Sequence, residues 1–315
     1  VNEQPIHLTK LMANEASKFI EKYGDGEKPF CLSVSFKAPH VQEDQNSQTP
    51  TFPFDTEYAN ILSDAQINRP TSYVDTGFPD LFIRDKYGIA NEGFIRAKDR
   101  FGTDEKYQES VKGYYRLIKG LDDAVGDIVQ TLKNEKLIDN TVIIFLGDNG
   151  FYLSEHGLAG KWFGHNESIR IPMIIYDPTN RNETTRDEIA LNIDIAPTIL
   201  DFAKVAKPKR IQGESLKALM KDDANGWRTD FLYEHLMNLQ KSKGWYVYIP
   251  QTEGVVSKQY KYMRYFLENN REEPFYEQFF DVGNDYFEMH NLVKDSNQEV
   301  SAYKRRLKKL ISSTE

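Results

Sequence analysis

The chain has 315 residues, 39% of them hydrophobic and 28% charged, and carries a formal net charge of −8. Such a composition belongs to a folded globular protein with enough chain for one large domain or two smaller ones, and it excludes an intrinsically disordered polypeptide. The acidic balance argues against a nucleic-acid partner, and no stretch approaches the roughly 18 consecutive apolar residues of a membrane span.

The chain starts at Val1 without a charged n-region or an apolar h-region, and it is expected to be a piece of a longer protein. Residues 8 to 22 predict an amphipathic helix with Leu8, Leu11, Ala16, Phe19 and Ile20 inward, ended by Gly24 and Gly26. A strand follows over residues 30 to 36, FCLSVSF, and runs into Lys37-Ala38-Pro39-His40. Cys31, the only cysteine, leaves no internal disulfide and sets no compartment; inside that apolar strand it is expected to be a buried, inert thiol. Residues 41 to 105 have weak periodicity and many Pro, Asn, Gln and Asp, and read as a long surface excursion.

From 107 to 136 the apolar positions Val111, Tyr114, Ile118, Leu121, Val125, Ile128 and Leu132 form one helical stripe. Residues 141 to 147 predict a buried strand, 171 to 176 another, and 193 to 200 a helix capped by Asn192 or Asp194. The alternation predicts an α/β domain over 1 to 225 with a largely parallel sheet flanked by helices. Beyond 225, the aromatic runs 231–236, 245–250, 253–257, 260–266 and 277–282, then a charged helix over 299–312, predict a small antiparallel sheet plus helix, a second unit over 226 to 315.

Chemistry concentrates in residues 141 to 170. Asp148 and Asn149 follow the strand directly, at the end where ligands gather in open α/β sheets. Asp-Asn-Gly is a good turn former, and it is equally a pair of hard oxygen donors for a cation such as Ca²⁺, which takes six to eight of them. Lys161, thirteen residues after Asp148, is either a solvated charge or a cation that stabilises an anionic group. His40, just past a strand end, is either a structural histidine or a proton donor to a departing oxygen. His156 and His165 lack paired zinc spacing and are expected to be structural. Glu234, His235 and the Thr252-Glu253-Gly254 turn either line a pocket or decorate a sheet.

The motifs SFKAPH (35–40), YYRLIKGLDDAVGDIV (114–129), FLGDNGFYLSEHGLAGKW (145–162), ESIRIPMIIYDP (167–178), NIDIAPTILDFA (192–203), GVVSKQYKYMRYF (254–266) and YEQFFDVGNDYFEMHNL (276–292), in this order, resemble the formylglycine-dependent sulfatases of the alkaline phosphatase superfamily. The resemblance implies an alkaline phosphatase-like fold and sulfuric ester hydrolysis, with a sulfated carbohydrate as substrate and a periplasmic, secreted or lysosomal location. It implies Ca²⁺ on Asp148 and Asn149, Lys161 on a sulfate oxygen, and His40 as donor to the leaving alcohol. The family's second aspartate pair and its Cys- or Ser-x-Pro-Ser-Arg segment, source of the formylglycine, have no match: Leu32-Ser33-Val34 follow Cys31, and Asp122-Asp123 lie in a helix. The chain is therefore expected to be inactive alone. The alternatives are a phosphodiesterase or phosphonate hydrolase of the same superfamily, and a non-catalytic homologue that binds sulfated glycans.

Overall fold

The computed structural model describes residues 6–42, 52–73, 77–180, 182–236, 247–267 and 270–314. Helix α1 (Leu8–Tyr23) lies along α4 (Asp104–Asn134), with α2 (Asp80–Ile83) and α3 (Glu92–Phe101) between them in sequence. α1 buries Thr9, Ala13, Ala16 and Ile20, while Leu8 and Leu11 are exposed. The expected stripe is thus displaced: small side chains let α1 approach α4 closely, and Ser17 and Thr131 share a hydrogen bond of 2.9 Å across the contact. On α4, Val111 and Leu132 are buried as expected, but Leu117 and Gly113 are buried in place of the exposed Ile118.

Part of the 41–105 segment lies outside the described residues, and the rest is not simply an excursion. Asn91 caps α3 by accepting from the Gly93 N–H at 2.8 Å, and Phe78, Phe82 and Phe101 are buried. Charged residues interleaved among α3's apolar positions hid this helix.

Strand β1 (Ile143–Leu146) pairs with β4 (Met173–Tyr176), and the intervening chain holds β2 (Tyr152–Leu153), β3 (Ala159–Gly160) and α5 (Asn166–Ile169). The β1–β4 ladder is antiparallel, with Leu146 opposite Met173, and no parallel ladder occurs among the described residues. Parallel pairing needs a crossover that carries the chain back to the strand's starting end. Here the connection folds into a hairpin and re-enters at the end it left, where the Gly147 N–H donates to Pro172 O. Residues 30–36 are extended with alternating burial but belong to no ladder, so Cys31 is exposed rather than buried. Half-buried Leu32, Val34 and Phe36 share the opposite face.

Helices α6 (Ile195–Phe202) and α7 (Lys217–Met220) lead to a four-stranded antiparallel meander of β5 (Asp230–His235), β6 (Gln251–Ser257), β7 (Lys261–Phe266) and β8 (Tyr276–Phe280). Of the expected strand 245–250, the described part makes one bridge, Tyr248 to Asn91. Strand alternation gives the meander two apolar faces. Val255, Tyr262 and Phe279 pack on the closing helix α8 (Asn297–Thr314) through Val300 and Leu307. Met263 and Tyr265, on the other face, pack on Phe82, Tyr152, Leu158 and Phe163. That second face is what braces the loop after β1.

Candidate active site

Asp148 and Asn149 form the corner immediately after β1. Asp148 Oδ1 accepts from the Asn149 N–H at 2.9 Å, and Asn149 Nδ2 donates to Gly150 O at 2.7 Å. The second bond commits the amide nitrogen and leaves the amide oxygen as the available donor. Behind the corner, the Gly150 N–H donates to Ser168 O at 2.8 Å. A Cβ on Gly150 would collide with the Glu167 carbonyl, so only glycine fits this approach.

Hairpin β2–β3 closes the sequence gap to Lys161. Its register sets Tyr152 opposite Gly160 and Leu153 opposite Ala159, so the next positions outward are Phe151 and Lys161. The backbone is strained in the turn and just past β3: Ser154 and His156 in the turn, and Trp162 beyond it, have positive φ of 87°, 54° and 93°. Such conformations cost of order 1–3 kcal/mol each and persist only where packing enforces them.

His40 is exposed, and its Nδ1 donates to Val41 O at 2.6 Å, since a carbonyl can only accept. Val41 belongs to the same apolar cluster as Phe52 and Leu117, and Phe151 packs against that cluster. Phe151 thus neighbours the His40 segment and, three residues after Asp148, links the corner to it through packing.

Glu234 and His235, adjacent on β5, lie on opposite faces of the sheet and cannot line one pocket together. Glu234 is exposed and pairs with Arg271 at 3.3 Å. His235 shares the braced face with its cross-strand partner Thr252, and its Nδ1 and the Thr252 Oγ1 are buried with no hydrogen-bond partner among the described residues. Burial pushes the His235 pKa down.

Beneath the hairpin lies a buried polar layer whose individual parts gave little sign in the sequence. Gly164 N–H donates to the Tyr265 hydroxyl at 3.5 Å, which donates to Gln278 Oε1 at 2.7 Å. The Gln278 amide then faces His165 Nε2 at 3.3 Å, and His165 Nδ1 meets the Tyr152 hydroxyl at 2.8 Å. Because the amide nitrogen can only donate, Nε2 is the unprotonated nitrogen. Burial, together with the nearby His156 and Lys261, holds the His165 pKa well below the ordinary value. The structural role expected for both histidines fits this packing. Lys261, fully buried, pairs with Glu288 at 2.6 Å and donates to Gly164 O at 2.9 Å and Asn166 Oδ1 at 2.8 Å. A charge at an inward position of an otherwise apolar strand is the signal that could have revealed it.

The corner's donors are hard oxygens, right in kind for Ca²⁺ but fewer than the six to eight it takes. No group of three or more His, Cys, Asp or Glu able to hold a metal occurs among the described residues. Asp123 is engaged elsewhere, by Lys119 and by the Tyr58 hydroxyl at 3.0 Å.

Residues 154–314 match the family model described as N-sulphoglucosamine sulphohydrolase, C-terminal. An arylsulfatase of Clostridium perfringens is 28% identical over 309 residues, covering 97% of this chain and 56% of its own length. An N-acetylglucosamine-6-O-sulfatase of Bacteroides thetaiotaomicron is 28% identical over 277 residues, covering 73% of this chain and 49% of its own. The chain spans about half the length of these relatives. Among solved structures, one in complex with its substrate D-glucosamine-2-N,6-O-disulfate superposes with a TM-score of 0.76 at 21% identity, over 97% of this chain and 69% of the other. A phosphonate monoester hydrolase of Agrobacterium radiobacter gives 0.72 at 20%, over all of this chain and 63% of the other. These likenesses show the alkaline phosphatase-like fold. Residues 2–205 match the model described as Sulfatase, and the chain belongs to the sulfatase family.

Proposed function

We propose that the full-length protein is a sulfuric ester hydrolase acting on a sulfated carbohydrate. The observation that carries this reading is the β2–β3 register: Gly160 pairs with Tyr152, so Lys161 leaves the hairpin at the end where the chain enters from Asp148 and Asn149. A cation and two hard oxygen donors then serve one small region at a strand's carboxyl end. The relatives named above, one an N-acetylglucosamine-6-O-sulfatase and one solved with a disulfated glucosamine, favour an amino sugar as the sulfate's carrier. Other relatives are named extracellular sulfatases, which favours a secreted or periplasmic location. No described helix is long and apolar enough to cross a membrane.

In this reading Asp148 and Asn149 hold Ca²⁺ together with ligands from outside the corner. The ion, when bound, supplies positive charge against the sulfate oxygens. Lys161 binds a further sulfate oxygen and stabilises charge that grows there as the ester bond breaks. His40, its Nδ1 fixed on Val41 O, delivers a proton to the departing alcohol. The nucleophile is a formylglycine outside the matching motifs of residues 1–315, so the chain alone is inactive.

The test is turnover by the full-length protein of 6-O-sulfated glucosamine and an aryl sulfate, with and without a calcium chelator. Sulfate release that calcium restores supports the reading. The phosphonate hydrolase likeness favours a second reading, for which a phenylphosphonate ester is the comparison substrate. Preference for the phosphonate would overturn the sulfatase assignment.

A further inference from the structure

The buried pair Lys261–Glu288 is the most heavily committed ionic group under the candidate site. Lys261 lies on β7, facing the hairpin, and both side chains are about 1% exposed or less. Its ammonium makes three contacts: Glu288 at 2.6 Å, Gly164 O at 2.9 Å and Asn166 Oδ1 at 2.8 Å. Glu288 uses its other oxygen to accept from the Asn166 N–H at 2.6 Å. The pair therefore grips one short segment, residues 164 to 166, from both its carbonyl and its amide side.

That segment sits three residues beyond Lys161. It also starts α5, whose next residues back the other half of the site: Ser168 O accepts from Gly150 N–H at 2.8 Å, directly beside Asn149. Glu167 adds a tie to the hairpin, its Oε2 standing 3.6 Å from His156 Nε2. A continuous chain of contacts thus runs from the C-terminal sheet through 164–168 to the corner of Asp148 and Asn149. A second, neutral route runs in parallel through Tyr265, Gln278 and His165.

A buried ion pair is poor value as a stability device, because desolvation costs several kcal/mol per ion and packed apolar residues often do as well. Geometry is the better account of its presence. We propose that Lys261 and Glu288 are positioning residues: the C-terminal sheet clamps the segment 164–168 and so holds Lys161 and the Asp148–Asn149 corner in register with each other. The clamp supplies neither a metal donor nor an anion ligand itself. This rests on the reading of Lys161, Asp148 and Asn149 given above.

The test uses the full-length protein and two variants. Lys261→Met with Glu288→Gln removes both charges and so leaves no unpaired buried carboxylate. Asn166→Ala removes one acceptor of Lys261 and leaves the ion pair, which keeps the test open should the double variant fail to fold. Amide hydrogen exchange is measured at Gly150, Gly164 and Asn166 against α4, and kcat and KM are measured with a sulfate ester. The clamp predicts faster exchange confined to 148–168 and a loss in kcat of about tenfold or more with little change in KM, the signature of a misplaced group. Exposed Lys258→Met should change neither. Unchanged exchange in both variants, or faster exchange with unchanged kcat in folded protein, would overturn the proposal. Absence of wild-type sulfate turnover would overturn the sulfatase reading instead, and the exchange data would still decide whether the segment is clamped.

Discussion

The imidazole rings of His156 and His165 stack 4.1 Å apart and 14° from parallel, both buried between the site hairpin and the C-terminal sheet. Gln278 enforces the neutral form of His165. A second proton on His165 Nε2 would point at the Gln278 amide N–H groups. The folded state therefore binds this proton less readily than the unfolded chain, where the pKa is near 6.5.

The sign follows by linkage. Below about pH 6.5 the unfolded chain holds more protons, so stability rises with pH through this range and is lost as pH falls toward the depressed folded value. His235, depressed by burial, contributes in the same direction. One such group contributes a slope of at most about 1.4 kcal/mol per pH unit. His165→Asn, which keeps a donor and an acceptor but does not titrate, should lower the urea midpoint at every pH and flatten its slope between pH 5 and 7. Equal slopes for variant and wild type would refute the assignment.

Periodicity made α1, α4, β1 and the later strands of the C-terminal sheet legible, because each has enough residues for a repeat to show. It could not show pairing. Residues 30–36 do alternate as a strand should, yet whether Cys31 is buried depends on a neighbouring strand that the alternation does not encode. The β2–β3 hairpin has two residues per strand, too few for any repeat, although it is what turns the chain back before Lys161. Asp148 and Asn149 were visible because their role depends on placement at a strand end. Lys261 and Glu288 were not, since their meaning lies in contacts with Gly164 and Asn166, about a hundred residues away in sequence.

Gly150 gives a sharp local test. A methyl group there meets the Glu167 carbonyl, and relief requires breaking the Gly150 to Ser168 hydrogen bond. Gly150→Ala should cost about 1–3 kcal/mol, the usual range for overpacking. It should also weaken calcium binding measured by titration calorimetry, because Asn149 precedes the displaced residue. A variant with wild-type stability and calcium affinity would show that the corner tolerates movement.

Asp194 is fully buried and holds four donors. Its oxygens accept from Leu191 N–H at 2.8 Å and Glu214 N–H at 2.9 Å, and Arg228 forks onto both at 2.5 and 2.7 Å. The side chain makes no cap bond to α6 itself; it pins the 3-10 turn Asn192–Asp194 that leads into α6 and ties it to the chain leading into β5. Asp194→Ala strands the guanidinium and two amides, a loss of about 3–5 kcal/mol. Asp194→Asn keeps one acceptor and should cost less. Chemical unfolding of the two variants checks the order, and equal costs would mean that the charge carries no part of this tie.

Lys161 and Asp148 should fail in distinguishable ways if they serve the sulfate and the metal respectively. Lys161→Met removes a cation aimed at developing charge, an effect worth about 10²–10³ in kcat when such groups are deleted elsewhere. It leaves the corner's oxygen donors intact, so the calcium concentration for half-maximal activity should stay at the wild-type value. Asp148→Ala removes a donor outright. That concentration should then rise by more than the roughly tenfold that loss of an outer-shell group costs. Steady-state assays of the full-length variants over a calcium series separate the two patterns. A calcium shift in the Lys161 variant as large as that in the Asp148 variant would mean the lysine organises the corner rather than binding the substrate anion.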